Sequence, residues 1–235
     1  MTKEELDLLE QKLDAVELQI RKAEIRIEVT KTLNRYETYF QGADCNGITH
    51  GTCAWDDPDI WIDAGMGARL DGGRASLEFF DQRPALARMP GALVEHESCS
   101  MIVEVADDCM TAKTCDFAPG YKCLALGRSQ VWSMGKCYHD FKQIDGQWLI
   151  FHRHWFVVCE AEAAYGLLYQ NRSYWKECMF DELDSIHNGN ITVPPVFVEY
   201  QDNYRKDGHL YLYPEPPDPY QTFDGNSDFK RTRGY

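Results

Sequence analysis

The dipeptide Asp145-Gly146 constrains this chain more than any other feature, because it stands between two long stretches of alternating apolar and polar residues, 130–144 and 147–159. A two-residue type I′ turn needs positive φ at both central positions, which Asp-Gly tolerates, so the two stretches are expected to pair as antiparallel strands. The same texture recurs upstream: residues 93–105 alternate, Asp107-Asp108 makes a turn, and residues 110–117 return. Before Pro90-Gly91 the pattern differs, with a short strand at 60–62, a turn at Asp71-Gly72-Gly73 and a short helix at 76–80 stopped near Pro84. Helices first and an antiparallel meander afterwards imply an α+β fold, a strongly curved antiparallel sheet closing on helices.

The chain begins with a helix signal. Leu6, Leu9, Leu13, Val16, Ile20, Ala23 and Ile27 advance in steps of three and four, which holds one apolar seam on a helix while Glu, Lys and Arg take the other faces. Such a heptad pattern over residues 1–30 fits both a short oligomeric coiled coil and a helix lying on its own domain. Helical character continues through Leu33, Tyr36 and Tyr39 to Phe40, and Gly42 with residues 44–47 is expected to end it. Residues 31–164 then form the folded domain. From residue 165 to 235 the composition turns to Tyr, Pro, Asp and Asn, as in Pro194-Pro195 and Pro214-Glu215-Pro216-Pro217, which suits an extended arm packed on this or a neighbouring subunit. Seam, apolar outer sheet face and aromatic arm together imply a homodimer or homotrimer.

Charge excludes some partners. The 24 basic and 38 acidic side chains give a formal net charge of −14, with no basic run to neutralise phosphates, so nucleic acid is not an expected partner. No apolar stretch of about 18 residues occurs, which argues against a membrane span and for a soluble cytoplasmic protein. The nine cysteines are odd in number and lack a C-x-x-C, and Cys99, Cys115, Cys137 and Cys159 stand where apolar strand residues belong, so they are expected to be reduced thiols acting as small hydrophobes. The sequons at Asn171 and Asn190 then carry no meaning.

Several side chains carry possible chemistry. His152 and His154 lie two apart on a strand and share a face, and with Glu160 they invite a metal reading; the plainer one is two histidines at a pocket mouth. No Gly-rich phosphate loop, H-E-x-x-H or G-x-S-x-G is present. His96 shares its expected strand face with Val94, Ser98, Ser100 and Ile102, a mixed lining of the sort a ligand cavity has, while Cys99, Met101, Val103 and Val105 form an apolar face opposite. Asp116, between Cys115 and Phe117, is either an exposed-face residue or an acid whose pKa desolvation raises. Tyr39 and Asp44 could project together from a helix end.

This order of parts resembles the SnoaL-like group of the nuclear-transport-factor-2-like (NTF2-like) superfamily, with the bile-acid dehydratases as the nearest likeness and scytalone dehydratase more distant. The helix running into residues 39–44, the strand histidine His96, and residues 138–150 with their acidic-Gly turn before Trp148 and Ile150 carry the resemblance. It covers about residues 20–160. It implies a cone of helices and sheet around an apolar pocket, with Tyr39, Asp44, His96 and Asp116 as the catalytic set and His139, His154, Trp132 and Trp61 against the substrate. The activity implied is a cofactor-free lyase (dehydratase) or isomerase using general acid–base catalysis on an apolar hydroxylated ring substrate, with no metal. His96, oriented by Asp44, would shuttle the proton, Asp116 would assist, and Tyr39 would donate to a substrate oxygen. Two alternatives fit the same residues: a non-catalytic ligand-binding or assembly module of this fold, and a metal-dependent oxygenase or hydrolase using His139, His152 and His154.

Overall fold

The structure is a computed structural model that describes residues 1–63, 68–81, 91, 93–124, 129–164, 166, 196–197 and 215–225. Helix α1 (Lys3–Gln41) starts on a capping box, in which the Thr2 hydroxyl accepts from the Glu5 amide at 3.2 Å and the Glu5 carboxylate from the Thr2 amide at 2.8 Å. It runs unbroken through residue 30 to Gln41, next to the expected helix end at Phe40.

Two apolar stripes share α1. Ile25, Val29, Leu33, Tyr36 and Phe40 are buried against the domain, each fully buried side chain contributing about 1.5–3 kcal/mol. The heptad seam faces the other way, with Leu9, Val16 and Ile27 at 48%, 55% and 56% exposure. Helix α1 ends at Gln41 with Gly42 as its cap, as expected, but residues 44–47 also start a second helix. The Asp44 carboxylate accepts the Gly47 N–H at 2.9 Å and caps a second helix, α2 (Cys45–Thr52), because an Asp that cannot extend one helix is well suited to begin the next.

The remaining elements are β1 (Trp61–Asp63), β2 (Ala68–Asp71), α3 (Gly73–Asp81), β3 (Leu93–His96), β4 (Cys99–Val105), β5 (Thr111–Leu124), β6 (Ser129–Ile144), β7 (Gln147–Glu162) and β8 (Val196–Phe197). They form one strongly curved sheet in the order β3-β5-β6-β7-β1-β2-β8, with β4 also paired to β5. The β6–β7 hairpin closes at Asp145 and Gly146, whose φ values are 50° and 80°. The sheet is mixed rather than purely antiparallel. β1 runs parallel to β7, with Trp61 opposite His152, since it enters from the helical layer by a crossover rather than by a hairpin.

The expected continuous strand over residues 93–105 is broken. Residues 97–98 leave the ladder and a register shift follows between Cys99 and Ile102, with Ser100 at φ 53°. This displaces the alternation, so Ile102 is 39% exposed whereas His96 turns inward, and Met101 and Val103 pack on the core.

The sequons and Pro194-Pro195 lie outside the described residues. Two described pieces of the arm rest on this chain's own sheet: residues 196–197 pair with β2 as β8, and in residues 215–225 the Asp107 and Asp108 amides donate to the carbonyls of Tyr220 and Gln221, both at 3.0 Å, while the Phe223 ring lies 5.3 Å from Phe151. The described cysteines are free thiols; Cys115, Cys137 and Cys159 are buried, whereas Cys99, at the start of an edge strand, is exposed. No described helix is long and apolar enough to cross a membrane.

Candidate active site

Strand alternation, shifted by a bulge at Phe151 on β7, decides which side chains face α1. On β5 they are Ala112, Thr114, Asp116, Ala118 and Gly120; on β6, Ser133, Gly135, Cys137, His139 and Phe141; on β7, Ile150, Arg153, Trp155 and Val157. Register stacks them in three bands. Ala112, Phe141 and Ile150 belong to the apolar core under Val29 and Leu33. Next come the polar groups Thr114, Asp116, Cys137, His139 and Arg153. Beyond these, small residues make room for two large rings: a Cβ at Gly120 would sit 2.4 Å from the His96 ring, and one at Gly135 would sit 2.7 Å from the Trp155 indole. His96 lies between Phe40 and Trp155, with ring centroids 5.7 and 4.6 Å away and planes within 17° and 19°.

Tyr36 and Glu37 reach down from α1 onto the polar band. The Arg153 guanidinium lies 5.5 Å from the Tyr36 ring centre and donates to the Asp63 carbonyl at 3.4 Å and the Cys137 sulfur at 3.6 Å. Burial opposes its charge, but Tyr36, Cys137, Glu37 and Asp116 outweigh it and hold the pKa above the ordinary arginine value. His139, fully buried, is pushed well below the usual histidine range by burial and then by Arg153, so it is neutral at pH 7. Its Nδ1 is 3.1 Å from the Thr114 hydroxyl and 3.6 Å from the Asp116 carboxyl. Burial, then the charge of Glu37, raises Asp116 to about 7, against the pull of Ser98 and Arg153. The Ser98 hydroxyl donates to Glu37 at 3.2 Å. Burial lifts the Tyr36 phenol far above its normal value, partly offset by Arg153.

The hydroxyl of Tyr36, Nε2 of His139, Nε of Arg153 and Nε1 of Trp155 are buried with no hydrogen-bond partner among the described residues. Buried polar atoms are normally satisfied, so four such atoms together, three on the sheet and one on α1, set this cluster apart. Chemically the cluster offers an acid poised near neutrality, a permanent cation, and neutral donors in a desolvated setting.

No protein-family model matches the sequence. No curated protein matches it either. Solved structures are similar in fold. A provisionally named scytalone dehydratase from Novosphingobium aromaticivorans superposes with a TM-score of 0.51 at 12% identity, over 63% of this chain and 91% of that one. A provisionally named aromatic ring hydroxylase from the same organism gives 0.50 at 14% identity, over 60% and 94%. A type3 LinA hexachlorocyclohexane dehydrochlorinase from Novosphingobium barchaimii gives 0.50 at 10% identity, over 65% and 99%. The fold is NTF2-like.

Within this NTF2-like fold the expected catalytic set divides. His96 and Asp116 are both inside. Asp44 is exposed at the α2 cap and does not orient His96, whose neighbours are rings. Tyr39 lies over the glycine face of α2, so close that a Cβ at Gly47 would meet its ring at 2.7 Å. Both are turned aside because α2 begins at the helix end from which they were expected to project together. Of the residues expected against substrate, His139 is in the cluster, whereas Trp61, Trp132 and His154 alternate onto the outer face. There Trp61 stacks on His152 at 4.7 Å, Trp132 meets Tyr121 at 4.3 Å, and His154 bonds Asp63 at 2.9 Å.

That division also separates His139 from His152 and His154, which therefore cannot share one metal ion. Among the described residues no group of three or more His, Cys, Asp or Glu is arranged to hold one. His152 instead bonds Asp140 and the Asp59 carbonyl, each at 2.9 Å. Tyr36, Glu37, Ser98 and Arg153 carry no sequence signal of a functional role as plain as that of the histidines. Arg153 was within reach, since the parity that puts His152 and His154 on one face puts the residue between them on the other.

Proposed function

We propose that this chain is a cofactor-independent lyase, a dehydratase or double-bond isomerase, acting by general acid–base catalysis on an apolar ring substrate bearing a hydroxyl and a carbonyl. The observation that carries the reading is Asp116, a buried carboxyl titrating at about 7, within 3.6 Å of His139 and under the charge of Arg153. A proton-transfer group works best when its pKa lies near the working pH. Two structures of this fold bear the names of eliminating enzymes, a dehydratase and a dehydrochlorinase, which supports the same class.

In this mechanism ionised Asp116 takes the proton from the carbon beside the carbonyl. Negative charge develops on the carbonyl oxygen, where the Tyr36 hydroxyl and Arg153 Nε–H donate to it. With the Thr114 hydroxyl donating to Nδ1 of His139, Nε2 of that ring carries its proton and holds the departing hydroxyl. The carbon–carbon double bond forms as the carbon–oxygen bond breaks, and Asp116 returns its proton to the hydroxide, releasing water. In the isomerase version Asp116 returns the proton to another carbon.

The test is incubation of purified protein with hydroxylated ring ketones and mass detection of lost water. Wild type converts a member of the panel and Asp116→Asn does not; equal turnover by the two overturns the role of Asp116. A second reading, a binding module of the same fold, is favoured by the separation of Tyr39 and Asp44 from His96. It predicts that wild type binds ring ligands and returns every one of them unchanged.

A further inference from the structure

We infer that the N-terminal part of α1 is a docking surface for a second copy of this chain, and that the two helices pair antiparallel, centred between Asp14 and Ala15. At 3.6 residues per turn the seam of Leu6, Leu9, Leu13, Val16, Ile20, Ala23 and Ile27 lies about 180° around the helix from the Ile25, Val29, Tyr36 stripe that the domain buries. The described residues of the domain therefore do not cover the seam. Residues 1–21 are exposed apart from Leu18, which packs partly on the core, so just under half of a helix about 58 Å long, at 1.5 Å per residue, stands largely clear of the described fold. An apolar stripe two positions wide per heptad matches the seam of a paired coiled coil rather than the broader face of a helix on a globular core.

Charge decides the occupant and its direction. In the antiparallel register Leu6 faces the second copy's Ala23, Leu9 its Ile20, and Leu13 its Val16. The flanks then set Lys3 against Glu24 and Glu5 against Arg26, both attractive, Lys12 against Gln19, and Glu10 against Glu17, the one repulsive contact. A parallel pair would set Glu5 against Glu10 and Arg26 against Lys31, both repulsive, with Lys12 against Glu17 the one attraction. Arg26 keeps a 3.3 Å bond to the Val103 carbonyl and a 4.0 Å approach to Glu104, yet its side chain remains 41% exposed and within reach of a flanking carboxylate. The seam is thus self-complementary in one direction, as a twofold pair of identical helices requires.

The full chain is tested by light scattering and small-angle X-ray scattering. The expected result is a dimer whose two domains are offset along the coil by about 50 Å, from 1.5 Å per residue. The double variant Leu13→Asp with Val16→Asp, at two exposed positions, is expected to be monomeric with unchanged circular dichroism. Glu17→Lys supplies a second check that leaves the seam alone: it turns the Glu10 contact attractive in the antiparallel pair and the Lys12 contact repulsive in a parallel one. It is expected to tighten dimerisation about tenfold, by summing two exposed pairs. A monomeric wild type, a double variant that remains dimeric, or a Glu17→Lys variant that dimerises more weakly overturns the inference.

Discussion

Asp116→Asn separates a carboxyl kept for chemistry from one kept for structure. Burial and then Glu37 raise this group from 3.8 to about 7 in the folded protein, so the native state holds its proton more tightly than the unfolded chain does. A raised pKa contributes stability that is fully present below about pH 4 and is lost as the pH climbs through about 7. One proton bound by the native state alone changes stability by about 1.4 kcal/mol for each step of one in pH, so the loss approaches 4 kcal/mol by about pH 8. Asparagine has the same shape and never ionises. The variant is therefore expected to match wild type near pH 4 and to exceed it by a growing margin, up to about 4 kcal/mol, near pH 8. Urea unfolding of both proteins across this interval reads the difference directly, and the difference cancels the other titrating groups. Turnover should vanish in the same variant. A difference independent of pH, or a wild type more stable than the variant near pH 8, would show that favourable bonds hold the carboxylate and would refute the reasoning.

Gly135→Ala should cost about 1–3 kcal/mol, because its Cβ would lie 2.5 Å from the Phe156 carbonyl and 2.7 Å from the Trp155 indole; a thermal shift near zero would contradict that packing. Asp44→Ala should cost about 1 kcal/mol through the lost cap and leave turnover intact; full loss of turnover in a stable variant would return Asp44 to the chemistry. Tyr220→Phe removes the 3.1 Å bond to Thr111. It should cost up to about 1 kcal/mol and speed hydrogen exchange at Asp107 and Asp108, whose amides the arm engages; unchanged exchange would contradict the docking of residues 215–225.

The hairpin was legible because its information is local: Asp145-Gly146 admits few backbone geometries, and alternation on either side marks both stretches as strands, although the two bulges that shift which residues share a face are not visible in it. What misled was local information with two meanings. Asp44 is as good at starting a helix as at following one, and only the close fit of Tyr39 against Gly47 and Gly51 shows that a second helix packs there. Residues 93–105 alternate on paper, yet the break at 97–98 and the shift before Ile102 depend on how two short strands share one edge of β5, a non-local matter. The parallel pairing of β1 with β7 was hidden for the same reason, since nothing within three residues specifies the partner.

The candidate site was half legible, and residue size explains which half. The structure places inside both the strand histidine and the strand acid flanked by apolar neighbours, but the companions expected for them came from a helix end that points elsewhere. The groups that the structure sets beside Asp116 lie on long elements whose primary pattern is structural: Tyr36 and Glu37 belong to the buried stripe of α1, and Arg153 sits inside a run of aromatic residues. What suits the cluster to the proposed chemistry is its place between two dry bands. Phe141 and Ile150 close it on one side. On the other, Gly120 and Gly135 leave the sheet thin enough for the His96 and Trp155 rings to lie flat across it. The polar groups are thereby withdrawn from water on both sides, and this desolvation is the largest cause of the raised Asp116 and lowered His139. Two glycines without chemistry of their own therefore help set the protonation state of residues one band away.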